Sequence, residues 1–144
     1  MYVFLNSRAR KYFKGIWRRY RLSLKLFIND FNLESWWDGN QKVKSLVEWI
    51  RRWESDGVTK IDGIGTQMHV SYILNEADQK AQEDAIVNMF KILAESGKLI
   101  KISELDMGIV DKAFGTAIKT ENVTYEQQLK MAEFYQLLSV NILR

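Results

Sequence analysis

KLIKISELDM, residues 98–107, is an apolar run that ends in two carboxylates, Glu104 and Asp106. Its apolar content predicts a buried strand over 98–107. On a strand, residues two apart share a face, so Glu104 and Asp106 point the same way. Upstream, IDGIGTQMHV (61–70) predicts a second strand with a polar end, Gln67-Met68-His69. Gly63 and Gly65 mark places where its backbone comes close to another group. LKLFIND (24–30) predicts a third, followed by Phe31 and Asn32, so that Asn29, Asp30 and Asn32 form its polar end. Gln67 follows Asn29 by 38 residues and Glu104 follows Gln67 by 37.

Helical patterns fill the intervals. Val43, Leu46, Val47, Ile50 and Trp53 recur at spacings of three and four within 40–56. Ala81, Ala85, Ile86, Met89, Phe90 and Leu93 do the same within 76–97. Gly57 and Gly97 stand where each helix closes. A glycine-containing polar loop then runs to Val123, and Thr124-Tyr125-Glu126-Gln127 is a capping box opening a last helix to about Asn141. Strand, helix, strand at a period near 37 residues predicts right-handed crossovers and a parallel sheet. The expected fold class is α/β: an incomplete (β/α)8 TIM barrel with three parallel strands and about four helices. A closed barrel takes about 250 residues, and this chain has 144. A small doubly wound sheet competes, but neither GxGxxG nor GxxxxGK[ST] occurs.

Composition narrows the chemistry. The chain has no cysteine and one histidine, His69. Disulfides, thiolate catalysis and multi-histidine metal sites are excluded, and no cofactor or metal is expected. No stretch approaches the roughly 20 apolar residues of a membrane span, and residues 1–14 turn basic too early for a secretory leader. The compartment is left open. Residues 1–25 carry eight basic residues and no acid; the remainder carries 13 basic residues against 18 acids, a net −5. The mildly acidic body argues against a nucleic-acid partner. Within the basic segment, Tyr12, Phe13, Ile16, Trp17 and Tyr20 recur at helical spacing. This is read as a helix packing ahead of the first strand; an anionic membrane or RNA surface is the alternative.

If the three strands are neighbours, His69 meets both Glu104 and Asp106. It can then donate to Glu104 while Asp106 holds the ring. An ionised carboxylate fixed in direction suits nucleophilic attack on a sugar C1, the first step of glycoside hydrolysis with retention. The competing reading is an ordinary ion pair capping a strand end.

LKLFINDFNLES, IDGIGTQMHV and LIKISELDM, in this order and at these separations, resemble family 10 glycoside hydrolases, the endo-1,4-β-xylanases, from Leu24 to about Gln136. The resemblance implies the fifth to seventh strands of a (β/α)8 barrel. It implies Glu104 as the nucleophile, His69 and Asp106 as its orienting network, and Gln67 as a contact to the sugar under attack. It places Asn29, Asp30 and Asn32 beside the leaving-group side. Xylan or a xylo-oligosaccharide is the implied partner. Trp36 and Trp37 are further substrate-binding candidates: they form an aromatic platform for a sugar ring, or pack onto the next helix. Core packing is expected of Trp49 and Trp53.

The departures are specific. The family's acid/base is a glutamate after an asparagine, well upstream of Asn-Asp-Phe-Asn, and here no acid precedes Asp30. Phe31 stands where the family usually has tyrosine. Residues 1–23 are set apart as a basic amphipathic segment, with 24–144 a partial glycoside hydrolase catalytic domain. The expectation is a xylanase fragment that has the nucleophile, lacks the acid/base and is inactive alone; the alternative is a non-catalytic carbohydrate-binding or interaction remnant. Exposed sheet edges would invite self-association.

Overall fold

The three strands pair in parallel and in chain order: β1 (Phe27–Phe31), β2 (Gly63–Ile73) and β3 (Leu99–Val110). This is the computed structural model of the chain, and it describes residues 25–142. Helices α1 (Gln41–Glu54), α2 (Glu76–Glu95) and α3 (Tyr125–Ile142) follow the strands in turn, with a short 3-10 turn at Thr120–Asn122. The expected helix at residues 12–20 lies outside the described residues. Strand, helix and parallel order agree with the period of the sequence. The ends differ: β2 and β3 each run three residues beyond 70 and 107, because Ser71–Ile73 pair with Gly108–Val110.

One face of the sheet is dry. Ile64, Met68 and Val70 of β2 point into a cluster with Leu33, with Val43, Leu46, Val47 and Ile50 of α1, and with Ile86, Met89, Phe90 and Leu93 of α2. Phe134 and Leu138 of α3 close it. Each such side chain contributes about 1.5–3 kcal/mol by leaving water. Trp53 packs partly against this core as expected, but Trp49 does not: it is 41% exposed, its ring 6.1 Å from that of Trp53, with Arg52 over its face. It stands outside the stripe that Leu46, Val47 and Ile50 turn inward.

The local stops behave as the residue types require. Gly57 and Gly97 take φ of +66° and +68°, the left-handed region in which a glycine closes a helix at no steric cost. The Thr124 Oγ1 accepts from the Gln127 amide while the Gln127 side chain accepts from the Thr124 amide, a reciprocal cap. Asp38 caps α1 by accepting from the amides of Gln41 and Lys42. Buried Asn40 ties α1 to α2 through the Ala85 carbonyl and the Asn88 amide. Lys98, between Glu54 and the Ile61 carbonyl, ties the start of β3 to α1.

Candidate active site

The opposite face of the sheet is polar, and a single extra residue in β3 decides what stands on it. Thr66 pairs with Ile102, but Gln67 pairs with Glu104. Ser103 is therefore a bulge. In parallel strands, paired residues face the same way. Without the bulge Glu104 would pair with Met68 and turn toward the dry core. With it, Glu104 joins Gln67, and Asp106 joins His69, on the open face. Bulges commonly re-aim side chains beside active sites. Ser103 Oγ anchors this one by donating to Asn29 Oδ1 (2.7 Å) and to the Thr66 carbonyl (3.1 Å).

Four side chains converge there. Gln67 Nε2 donates to Glu104 Oε1 at 2.5 Å. His69 Nε2 lies 3.3 Å from Glu104 Oε2, and His69 Nδ1 lies 2.8 Å from Asp106 Oδ2. Both oxygens of Glu104 are thus held, one by an amide and one by the ring. With each ring nitrogen facing a carboxylate, only the protonated imidazole donates to both. The hydrogen bond that the ring donates to Asp106 is the main reason that the His69 pKa rises above its usual value; the charges of Asp106, Glu104 and Glu34 add to it, against desolvation. All three of His69, Glu104 and Asp106 are exposed.

The polar end of β1 divides between the faces. Asn29 is on the open face, over Gly65: a Cβ at Gly65 would stand 2.3 Å from Asn29 Oδ1. Gly63 is likewise filled by the Phe27 ring. These are the close approaches that the two glycines announce. Asp30 turns away and holds Lys42 Nζ at 3.2 Å, and Lys42 also donates to the Phe31 carbonyl and sits over the Phe31 ring. Asn32 ends the strand at φ +54°. Among the described residues no hydrogen bond joins Asn29, Asp30 or Asn32 to the Glu104 group directly; Asn29 reaches it through the neighbouring Ser103.

Trp36 is half-buried and Trp37 is exposed. They form a three-ring cluster with Phe114 from the loop after β3: Phe114 stacks on Trp36 and meets Trp37 edge-on, both at 5.7 Å. Phe114 is 79% exposed and takes φ +56°, an uncommon conformation for a bulky residue. Nothing in its flanking sequence marks it.

Glu34 belongs to none of the polar strand ends. It lies in the turn after β1, 4% exposed, and its Oε2 has no hydrogen-bond partner among the described residues. Burial pushes its carboxyl up from an ordinary 4.5 to about 7, against the opposing pull of its backbone amide, Lys42 and His69. Only the packed turn reveals this; a glutamate between Leu33 and Ser35 carries no sequence signal.

The model of glycosyl hydrolase family 10 matches residues 9–142. The chain belongs to that family. The match takes in residues 9–23, part of the basic segment set apart above. This family 10 chain is 34% identical over 116 residues to endo-1,4-β-xylanase A of Thermoanaerobacterium saccharolyticum, covering 81% of this chain and 8% of that protein. It is equally similar over 116 residues to exoglucanase XynX of Acetivibrio thermocellus, covering 9% of it. A solved family 10 structure from Paenibacillus barcinonensis aligns at 29% identity and TM-score 0.60, over 94% of this chain and 36% of that one. Xylanase10C of Cellvibrio japonicus, solved in complex with xylopentaose, aligns at 24% identity and TM-score 0.66, a likeness of fold; it covers 96% of this chain and 25% of that one. The three strands and their helices are thus a piece of the family's barrel. The chain spans less than a tenth of these two curated relatives and about a third or less of these solved structures.

Proposed function

We propose that this chain is the nucleophile-bearing part of a retaining endo-1,4-β-xylanase and that it is incompetent on xylan by itself. The observation that carries this reading is the grip on Glu104, with Gln67 on one oxygen and His69 on the other. In the proposed step Glu104 attacks C1 of a xylosyl unit. A glycosyl–ester bond forms, the glycosidic bond breaks, and its electron pair goes to the leaving oxygen. Positively charged His69 keeps Glu104 ionised before attack, and Asp106 keeps the ring turned toward it.

With an unactivated leaving group the same step needs a proton donor for the departing oxygen, on a second carboxyl about 5–5.5 Å from the nucleophile. No aspartate or glutamate precedes Asp30 in these 144 residues, where the family resemblance would put that carboxyl. General acid assistance is worth about 10²–10⁴-fold. Unactivated xylan therefore leaves too slowly, whereas an aryl xyloside, whose phenolate leaves without a proton, still turns over slowly. A dinitrophenyl xylobioside assay tests this. Release of dinitrophenol that is lost in Glu104→Gln supports the reading. Release that survives that change, or ready hydrolysis of xylan, contradicts it.

Asn29, Asp30, Asn32 and Gln67 would border the sugar, with Trp36 and Trp37, joined by Phe114, as the outlying aromatic platform. Self-association belongs to the same reading. Among the described residues the β1 edge is unpaired, the β3 edge is paired only at its end, where Val110 bridges Ala117, and Phe31, Leu99, Ile100 and Leu105 are exposed on these strands. A second copy is the proposed cover.

A further inference from the structure

Among the described residues, the non-glycine positions at positive φ are Asn32, Asn40 and Phe114. Asparagine enters the left-handed region readily; phenylalanine does not. The strained turn falls on Phe114 although Gly115 adjoins it. Gly115 is needed where it stands, because Asp111 Oδ1 and the Lys112 carbonyl occupy the space that a Cβ there would take. The loop around Phe114 is pinned. The Ala113 amide donates to Asp78 Oδ2 at 2.9 Å, the Gly115 amide to the Lys112 carbonyl at 2.9 Å and the Ile118 amide to the Ile109 carbonyl at 2.8 Å, and Ala117 bridges Val110. Strained positions persist where their surroundings over-determine them, and they gather at ligand clamps. This one does not drive its ring into a core: Phe114 is 79% exposed.

β1 and β3 flank β2, so they stand about 10 Å apart. Rings from the loops after both outer strands nevertheless meet, and the cluster spans the C-terminal end of β2, the end at which parallel sheets build their sites. Within it the rings are not equivalent. Phe114 lies nearly parallel to Trp36, at 24°, so each covers one face of the other. Trp37 stands edge-on to both. Trp36 is half-buried, and the outer face of Phe114 is open. We propose that Phe114 is the ring on which a xylosyl unit beyond the reacting one stacks, with Trp36 as its backing and Trp37 as its side wall. This rests on the xylan reading above. A pyranose chair presents axial C–H groups to the electron-rich face of a ring, and its hydroxyls point outward around that face. The surroundings fit such a ligand: Asp111, Lys112 and Thr116 beside Phe114 in the loop are polar and exposed. An apolar protein segment would instead want an aliphatic wall.

Isothermal titration of the full chain with xylohexaose tests this. Phe114→Gly removes the ring and relieves the turn; it is expected to weaken binding about tenfold, the order of one lost stacked contact. Phe114→Tyr keeps a ring face and is expected to restore the affinity. Equal affinity of wild type and the glycine variant overturns the proposal, whatever the variant's stability in urea, because the ring then serves packing alone. A glycine variant that loses self-association in light scattering while binding xylohexaose as wild type does also overturns it, and assigns the ring to a second copy. If the glycine variant does not fold, wild type with labelled phenylalanine rings decides by NMR. Contacts between the Phe114 ring protons and sugar protons support the proposal; sugar contacts confined to other residues, or none, refute it. Fluoro-xyloside labelling of Glu104 judges the nucleophile reading separately. Binding that depends on Phe114, with no adduct on Glu104, counts against that reading alone. An adduct on Glu104, with no binding of xylohexaose, counts against this proposal alone.

Discussion

Asp106 Oδ2 lies 2.8 Å from His69 Nδ1, so the ring is pinned from the side opposite Glu104. Its hydrogen bond is the largest influence raising the His69 pKa. Asp106→Asn is therefore expected to lower the pH at which His69 loses its proton, read by NMR. It also frees the ring to turn. A misdirected nucleophile costs on the order of 10²-fold, so slower labelling of Glu104 by an activated xyloside is expected to accompany the titration change.

Deletion of Ser103 tests the bulge. It returns β3 to an unbroken ladder and drives Glu104 and Asp106 toward the helices, where unpaired carboxylates are costly. Loss of the cooperative unfolding transition in urea is expected. Ser103→Ala keeps the register and removes only the bonds to Asn29 and the Thr66 carbonyl, at about 1 kcal/mol. Equal stability of deletion and substitution would mean that the extra residue does not set the register.

Much of this was legible in the sequence because strand alternation is strict. Gln67 with His69, and Glu104 with Asp106, must each share a face, and the spacing of 37 brings the two pairs together. The spacing also hid something: pairs before the bulge stand 36 apart, as in Gly65 with Lys101, and 37 apart after it. The bulge itself has no signal, since a serine fits either side of a strand. Glu34 was illegible for a different reason. Its burial comes from the closing of the turn between β1 and α1, which no local pattern encodes. Trp49 departs from the expected core packing because a ring adjacent to the apolar stripe can lie on Trp53 instead of entering the core.

Glu34 also predicts how stability follows pH. Its carboxyl is raised in the folded chain to about 7 from 4.5. The contribution is therefore full below about 4.5 and is lost as pH rises through about 7. Complete loss corresponds to about 3 kcal/mol. Glu34→Gln has no charge to bury, so it is expected to gain stability relative to wild type at pH 8 and little at pH 5. Urea unfolding at both pH values checks this; an equal effect at both contradicts it. His69, also raised, loses its own contribution in the same direction as pH rises through its folded pKa.

The exposed edge of β3 predicts association. Light scattering across a concentration series is expected to show mass rising above 17.0 kDa. Lysines in place of Leu99 and Ile100 should return it to the monomer, because charge on an open edge opposes strand addition. A monomer at all concentrations would remove the second copy as the cover.

Glu104 as the attacking group is tested most directly by mass spectrometry after incubation with a 2-deoxy-2-fluoro xyloside bearing a good leaving group, which needs no acid. One fluoro-xylosyl unit attached to the peptide containing Glu104, and absent from Glu104→Gln, is the expected result. Folded protein that acquires no adduct, or acquires it on another carboxylate, would contradict it.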